Sequence, residues 1–251
     1  KPSELTPETS ALLEELFKAD FSPEEISVVN GGPDVAAAFT AQAFDHLVFT
    51  GAPSVAKHVM RAAAENLVPL TLELGGKCPV IIGEGADIKS AVERIFTFKT
   101  MNAGQICLAP DYTFVQAEVL PQFIECAKNF VAENFGTLAD NDDYGSIINE
   151  RHRARIAGYI QEAMSKGYQT IPLSDDIGLD KLAHNHKLAP TLVIDPSNDC
   201  KIMSDEIFGP AMPIKTYTNI NDVATHINRG ERPLALYYFG KSKSEINMLK
   251  H

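Results

Sequence analysis

Leu12, Leu13, Leu16 and Phe17 recur at helical spacing within residues 8–18, with Thr6 placed as a cap and Pro7 at the first helical position, so the chain opens on an amphipathic helix. Ile26-Ser27-Val28-Val29 reads as a short strand ending in the turn-rich Asn30-Gly31-Gly32-Pro33, and a helix follows over residues 34–43. Leu47-Val48-Phe49 reads as a strand, Thr50-Gly51 as a turn, and residues 54–65 as a helix. Leu70-Thr71-Leu72-Glu73-Leu74 is a further extended run closed by Gly75-Gly76, and Pro79-Val80-Ile81-Ile82 opens a new stretch, which places a domain boundary between residues 1–76 and 77–251. Beyond it the pattern predicts helices at 87–102, 119–135, 149–166 and 220–229 and strands near 112–117, 191–194 and 234–239. Regular alternation of strand and helix predicts an α/β chain with a parallel sheet covered by helices.

The 251 residues, 45% hydrophobic, suffice for a sizeable core. With 33 acidic against 22 basic side chains the formal charge is −11, which disfavours nucleic acid and anionic membrane as partners. No apolar run approaches the roughly 20 residues needed to span a bilayer, and Lys1-Pro2-Ser3-Glu4 carries no signal-peptide core. Cys78, Cys107, Cys126 and Cys200 form no C-x-x-C pair, which suggests neither a metal site nor a redox pair and fits a reducing cytoplasm. The absence of Met at position 1 and a last stretch, Met248-Leu249-Lys250-His251, that reads as helix give both ends the look of fragment ends.

Four segments could carry chemistry. Asn102-Ala103-Gly104-Gln105-Ile106-Cys107-Leu108-Ala109-Pro110 sets a thiol in a loop between a helix and a strand, where small residues let backbone approach a ligand. Taken alone, such a cysteine is more often an inert small hydrophobe. Glu73 at a strand end beside Gly75-Gly76 suits a general base facing a crevice, and equally a solvated strand-end carboxylate. Thr50-Gly51-Ala52-Pro53-Ser54 could present helix N-terminal amides to a pyrophosphate, or be an ordinary strand-to-helix turn. Asp205-Glu206-Ile207-Phe208-Gly209-Pro210 on its own reads as a surface turn. His184-x-His186 reads as a surface loop, neither base nor metal pair.

In this order the segments resemble the aldehyde dehydrogenase superfamily along the whole chain. Lys1-Pro2-Ser3-Glu4 is similar to the family's adenosine-ribose motif, Phe49-Thr50-Gly51 to its cofactor turn, and Glu73-Leu74-Gly75-Gly76-Lys77 to its catalytic-glutamate motif. Gly104-Gln105-Ile106-Cys107 resembles the nucleophile motif and Glu206-Ile207-Phe208-Gly209-Pro210 the nicotinamide-ribose motif. The stretch Met101 to Tyr112 most resembles the branch that includes coniferyl aldehyde dehydrogenases and the class-three enzymes.

The resemblance implies a partial Rossmann-like cofactor-binding domain over 1–76 and a truncated α/β catalytic domain over 77–251. It also implies aldehyde oxidation through a thiohemiacetal and thioester on Cys107, with Glu73 activating the hydrolytic water. Lys1, Glu4, Thr50, Gly51, Leu74, Glu206 and Phe208 would hold NAD, which Glu4 favours by repelling a 2′-phosphate, with NADP possible because members of this branch accept both. A homodimer or homotetramer and a medium-chain or aromatic aldehyde are implied as well. Ala52 and Ala56 depart from the family's turn, removing a hydroxyl and a glycine, and imply a weaker cofactor grip. The family's oxyanion asparagine would precede Lys1 and its substrate-tunnel segment would follow His251, so the 251 residues imply an incomplete, inactive site. Three other readings are a non-catalytic relative, which would need neither Cys107 nor Glu73, an acyl-transferring coenzyme-A relative, which tends to lack the glutamate, and a cysteine–histidine hydrolase, for which no histidine lies near Cys107.

Overall fold

A computed structural model describes residues 1–179 and 185–250. The chain divides into two compact units, Lys1–Leu74 and Gly75–His251. His184 and His251, which figured in the sequence reading, lie outside the described residues.

In the first unit, α1 (Pro7–Asp20) forms where the spacing predicts it, with Pro7 at its start. Its Leu12, Leu13 and Leu16 are exposed, and Ser10 is its buried residue. The expected strand at 26–29 does not form. A strand needs a neighbour for its N–H and C=O groups, and the sheet of this unit is the parallel pair β1 (Leu47–Gly51) and β2 (Leu70–Leu74). Helix α2 (Pro33–Thr40) precedes β1, and α3 (Pro53–Ala64) crosses from β1 to β2. Leu47, Val59, Ala63 and Val68 make a small core, with Phe39, Phe44, Phe49 and Leu70 packed on it.

Thr50-Gly51, expected as a turn, are instead the last residues of β1. Proline drives the preceding residue out of the helical region, and Ala52 is accordingly extended (φ −71°, ψ 144°), so the break falls between Gly51 and Pro53.

The second unit is a six-stranded sheet. Its strands are β3 (Pro79–Ile82), β4 (Tyr112–Gln116), β5 (Thr170–Pro172), β6 (Thr191–Ile194), β7 (Ala211–Tyr217) and β8 (Tyr237–Phe239), in the order β5-β6-β7-β4-β3-β8. Only the β5–β6 pair is antiparallel. Burial on both faces accounts for the near-continuous apolar runs of β3 and β4. Helices α4 (Ile88–Thr100), α5 (Leu120–Phe135), α6 (Glu150–Ser165), α7 (Lys201–Ser204), α8 (Ile220–Arg229) and α9 (Lys243–Leu249) complete the unit. Asp87 caps α4 by accepting the Ser90 N–H, and Asn149 caps α6 by accepting the His152 N–H.

The sequence pattern missed β5, α7 and the central β7. Pro213 stands in the middle of the β7 run and reads as a break, since it cannot donate to a ladder. The fold tolerates it because the register with β4 begins one residue later, at Thr113↔Ile214. Among the described residues no helix is long and apolar enough to cross a membrane.

One core of this unit lies where α4 and α5 cover the sheet, around Val80, Ile82, Phe96, Val115 and Phe123, and a second gathers Ile81, Phe114, Ile156, Ile160 and Ile207. Phe96 is fully buried, its ring centroid 6.3 Å from that of Phe123 and 6.2 Å from that of Phe130. Phe96→Ala is expected to cost about 3–5 kcal/mol in urea unfolding, against roughly 0.5 kcal/mol for Phe98→Ala on the exposed side of the same helix.

Candidate active site

The two units place their candidate residues at opposite kinds of sheet end. In the first, Thr50 and Gly51 close β1, Glu73 and Leu74 close β2, and the register pairs Thr50 with Glu73 and Gly51 with Leu74. These are C-terminal strand ends, where open α/β sheets bind ligands. Leu47, Phe49 and Leu70 turn into the small core, so by the two-residue repeat Thr50 and Glu73 project from the other face, and both are exposed.

Pro53 occupies the first position of α3, removing one amide from the helix start, and Ala56 is buried. Near the chain start, Lys1 donates through Nζ to the Pro2 carbonyl at 2.9 Å and pairs with Glu4 at 3.5 Å.

In the second unit the candidates stand at N-terminal strand ends. Cys107 precedes β4, Gly75 to Lys77 precede β3, and Glu206 to Phe208 precede β7. Cys107 is exposed. Its loop leaves α4 through a 3-10 turn, Met101–Gly104, in which Asn102 (φ 50°), Ala103 (φ 52°) and Gly104 (φ 74°) are all left-handed. Two non-glycine residues in that region cost about 1–3 kcal/mol each and persist only where surroundings enforce them.

The enforcement is visible. Gln105 donates through Nε2 to the Asn102 and Ser146 carbonyls, both at 2.9 Å, and its Oε1 accepts the Ile148 N–H at 2.9 Å. Ala109 N–H closes a turn on the Ile106 carbonyl at 2.9 Å, with Cys107 at its apex. Tyr237 Oη donates to the Leu108 carbonyl at 2.7 Å, and the Cys78 thiol lies 3.6 Å from the Cys107 carbonyl.

The loop ending at Phe208 packs backbone to backbone on this one. A Cβ on Gly104 would stand 2.6 Å from the Gly209 carbonyl oxygen, and one on Gly209 would collide with Ile156 of α6. Phe208 (φ 46°) is left-handed and partly exposed. From α6, Arg155 donates to the carbonyls of Glu206 (3.3 Å) and Ile207 (2.9 Å), while Tyr159 Oη donates to Asp205 at 2.9 Å.

The Glu206 carboxylate accepts the Gly76 N–H at 3.1 Å through Oε1, and a Cβ on Gly75 would strike it. Burial pushes its carboxyl above the usual range. Its Oε2 is held by no hydrogen bond among the described residues, which leaves an acceptor for a ligand hydroxyl.

Three residues that were given no role in the sequence reading, two of them (Lys77 and Asp111) within the motif stretches, hold these pieces together. Asp111, nearly fully buried, pairs with Lys77 and accepts the Ile207 N–H at 2.9 Å. Lys77 also donates to the Ile202 and Asp205 carbonyls, both at 2.9 Å. Lys99 is buried, donates to the Pro110 carbonyl at 2.7 Å, and has its ammonium pushed down by burial to about 8. For Lys99 and Asp111 a signal was charge beside apolar residues, Lys99 after Phe98 in a Phe-rich helix end and Asp111 between Pro110 and Tyr112. Away from the site, His186 pairs with Glu150 at 3.1 Å. No cluster of three or more metal-ligating side chains occurs among the described residues.

The model of the aldehyde dehydrogenase family matches residues 1–251. The chain is 50% identical over 246 residues to a probable coniferyl aldehyde dehydrogenase of Caulobacter vibrioides, covering 98% of this chain and 50% of that protein. It is 48% identical over 248 residues to the coniferyl aldehyde dehydrogenase of Pseudomonas sp., covering 98% and 51%. The structure of a substrate-bound Staphylococcus aureus AldH superposes with a TM-score of 0.91 at 35% identity, covering 99% and 53%. The chain thus spans about half the length of the relatives it matches.

Gly104 and Gly136 both have positive φ, but a Cβ at Gly136 meets only open space. Gly136→Ala is expected to cost about 1 kcal/mol of backbone strain. Gly104→Ala, which must also displace the Gly209 backbone, should cost more than about 2 kcal/mol and slow alkylation of Cys107, readable by unfolding and by mass spectrometry of the modified peptide.

Proposed function

This chain belongs to the aldehyde dehydrogenase family, and we propose that the enzyme it forms part of oxidises an aldehyde to the carboxylic acid with NAD as hydride acceptor. The observation that carries this reading is the exposed thiol of Cys107 at the apex of a turn, on a loop whose left-handed backbone is locked by Gln105 and Gly104. An inert core cysteine has no need of such a scaffold; Cys200, fully buried, is the contrasting case in the same unit.

Cys107, as thiolate, adds to the aldehyde carbonyl carbon, and its own backbone N–H meets the oxyanion of the thiohemiacetal. The dinucleotide, when bound, supplies the acceptor for the hydride that leaves this carbon. Cys107 is left as a thioester. Glu73 takes a proton from water, the resulting hydroxide adds to the thioester carbon, and the carbon–sulfur bond breaks to give the acid and regenerate the thiolate.

For the cofactor, Glu206 offers its unheld oxygen to a ribose hydroxyl, with Phe208 beside it and Gly75 leaving the space. Thr50, Gly51 and Leu74 line strand ends of the kind that receive nucleotides, and Lys1 with Glu4 would take the adenine ribose. Glu4 favours NAD over NADP by repelling a 2′-phosphate. Replacement of the family's turn residues by Ala52 and Ala56 weakens the grip.

The names of the relatives support an aromatic aldehyde such as coniferyl aldehyde as substrate. A cytoplasmic homodimer or homotetramer is the assembly we favour, with its four cysteines free. The coenzyme-A-acylating alternative is disfavoured because it has no use for Glu73.

The test is rapid mixing of the intact enzyme with NAD and coniferyl aldehyde. Cys107→Ala should abolish NADH formation. Glu73→Gln should keep the first-turnover burst while slowing steady turnover by about 10²-fold or more, the usual share of a general base. An active Cys107→Ala enzyme would overturn the mechanism.

A further inference from the structure

We propose that Lys99 is a positioning residue for the nucleophile, a staple that closes the ends of the Cys107 loop on one another. The inference rests on the reading of Cys107 given above and adds a residue outside every motif that carried it.

Lysine is almost never fully buried, because a desolvated ammonium costs free energy that a neutral side chain of the same shape does not. Lys99 is 1% exposed, in the last turn of α4. Its Nζ donates to the carbonyl of Pro110, the residue that ends the loop before Asp111 and β4. At the loop's start, its backbone carbonyl oxygen is 3.0 Å from the point a Cβ on Gly104 would occupy. One residue therefore meets both stems, its main chain against Gly104 and its side chain on Pro110, and residues 100–109 form a ring between them.

Cys107 sits on the Pro110 side of that ring, which is held from outside by Tyr237 on Leu108 and by Gln105 on Ser146. Pro110 has no N–H, so its carbonyl is the backbone group through which the ring can be tied at this point. If packing alone were at stake, methionine would fill the volume without the desolvation cost. What methionine cannot do is fix the Pro110 carbonyl, and with it the angle at which the turn presents the thiol. A displacement of the thiol by about 1 Å is enough to cost a large factor in rate.

The experiment compares wild type and Lys99→Met of the intact enzyme by four readings. These are the rate of Cys107 alkylation by iodoacetamide, followed by mass spectrometry of its peptide, kcat, KM for NAD, and melting temperature. The expected result is a loss of about tenfold in both alkylation rate and kcat, the worth of one charge-assisted hydrogen bond, with KM for NAD changed less than about twofold. The melting temperature should hold or rise.

Wild-type alkylation and kcat in Lys99→Met overturn the inference. So does a fall in melting temperature with unchanged alkylation of the folded protein, which is the mark of a merely structural lysine. Should Lys99→Met not fold, Lys99→Gln, which keeps a donor at shorter reach, takes its place with the same expected direction. Failure of the proposed function is separately visible: wild type would then give no Cys107-dependent NADH, while the alkylation comparison would still report on the loop.

Discussion

The ion pair between Lys77 and Asp111 is the constraint on which the second unit's site depends. Lys77 lies just before β3, Asp111 just before β4, and through the Ile202, Asp205 and Ile207 backbone groups the pair reaches the segment before β7. Three adjacent strands are thereby tied at the same end. Asp111 is 4% and Lys77 18% exposed at the side chain, so neither charge can be solvated as it would be in water. Removing one partner from such a pair typically costs about 3–5 kcal/mol, because the other is left uncompensated, whereas the intact pair adds little net stability. Its contribution is therefore specificity of arrangement: a single register among three loops that would each be free alone.

That register is what makes the glycine contact possible. Gly104 and Gly209 come within a distance that excludes any Cβ, which fixes the loop of the thiol against the loop of Glu206 and Phe208 with no side chain between them. Left-handed residues appear on both sides of the contact, at Asn102, Ala103 and Gly104 and again at Phe208. Strain of this kind is held by a surrounding framework. The framework here consists of Gln105, Arg155, Tyr237 and the ion pair, groups that act chiefly on backbone carbonyls and amides. The side chains proposed to carry the chemistry stay uncommitted as a result, notably the Cys107 thiol and one Glu206 oxygen.

Most of the helices and the β3 and β4 strands were legible because their apolar spacing is regular and their burial complete. Residues 26–29 misled because apolar, β-branched composition is only half of a strand; the other half is a partner, which no local pattern reports. Residues 211–217 were missed for the opposite reason, since Pro213 looks like a break and is tolerated by the register of its neighbours. Cys107, Glu73, Thr50, Gly51, Glu206 and Phe208 were readable as candidates through the order of their motifs, not through any one of them. The roles of Lys99, Asp111 and Arg155 were not, because a charge beside apolar residues suggests burial but does not say which group it meets. Their partners are backbone groups far along the chain, as with Asp111 and Ile207, and such pairings leave no periodic trace.

The two units solve the same problem from opposite ends of a strand. In the first, residues at the C-terminal ends of a parallel pair project where the dipoles and turns of α/β sheets commonly receive nucleotides. In the second, Cys107, the proposed nucleophile, stands at the N-terminal end of β4, against that habit. An N-terminal strand end offers no helix start aimed at the ligand, so the backbone must be bent locally if its amides are to face a developing oxyanion. The left-handed run at Asn102–Gly104 makes such a bend, and Gln105 pins it through the Asn102 and Ser146 carbonyls, over the buried Lys99 and Asp111. Catalytic geometry that one kind of sheet end obtains from regular structure is here built from irregular backbone, and the charge buried beneath it follows from that choice.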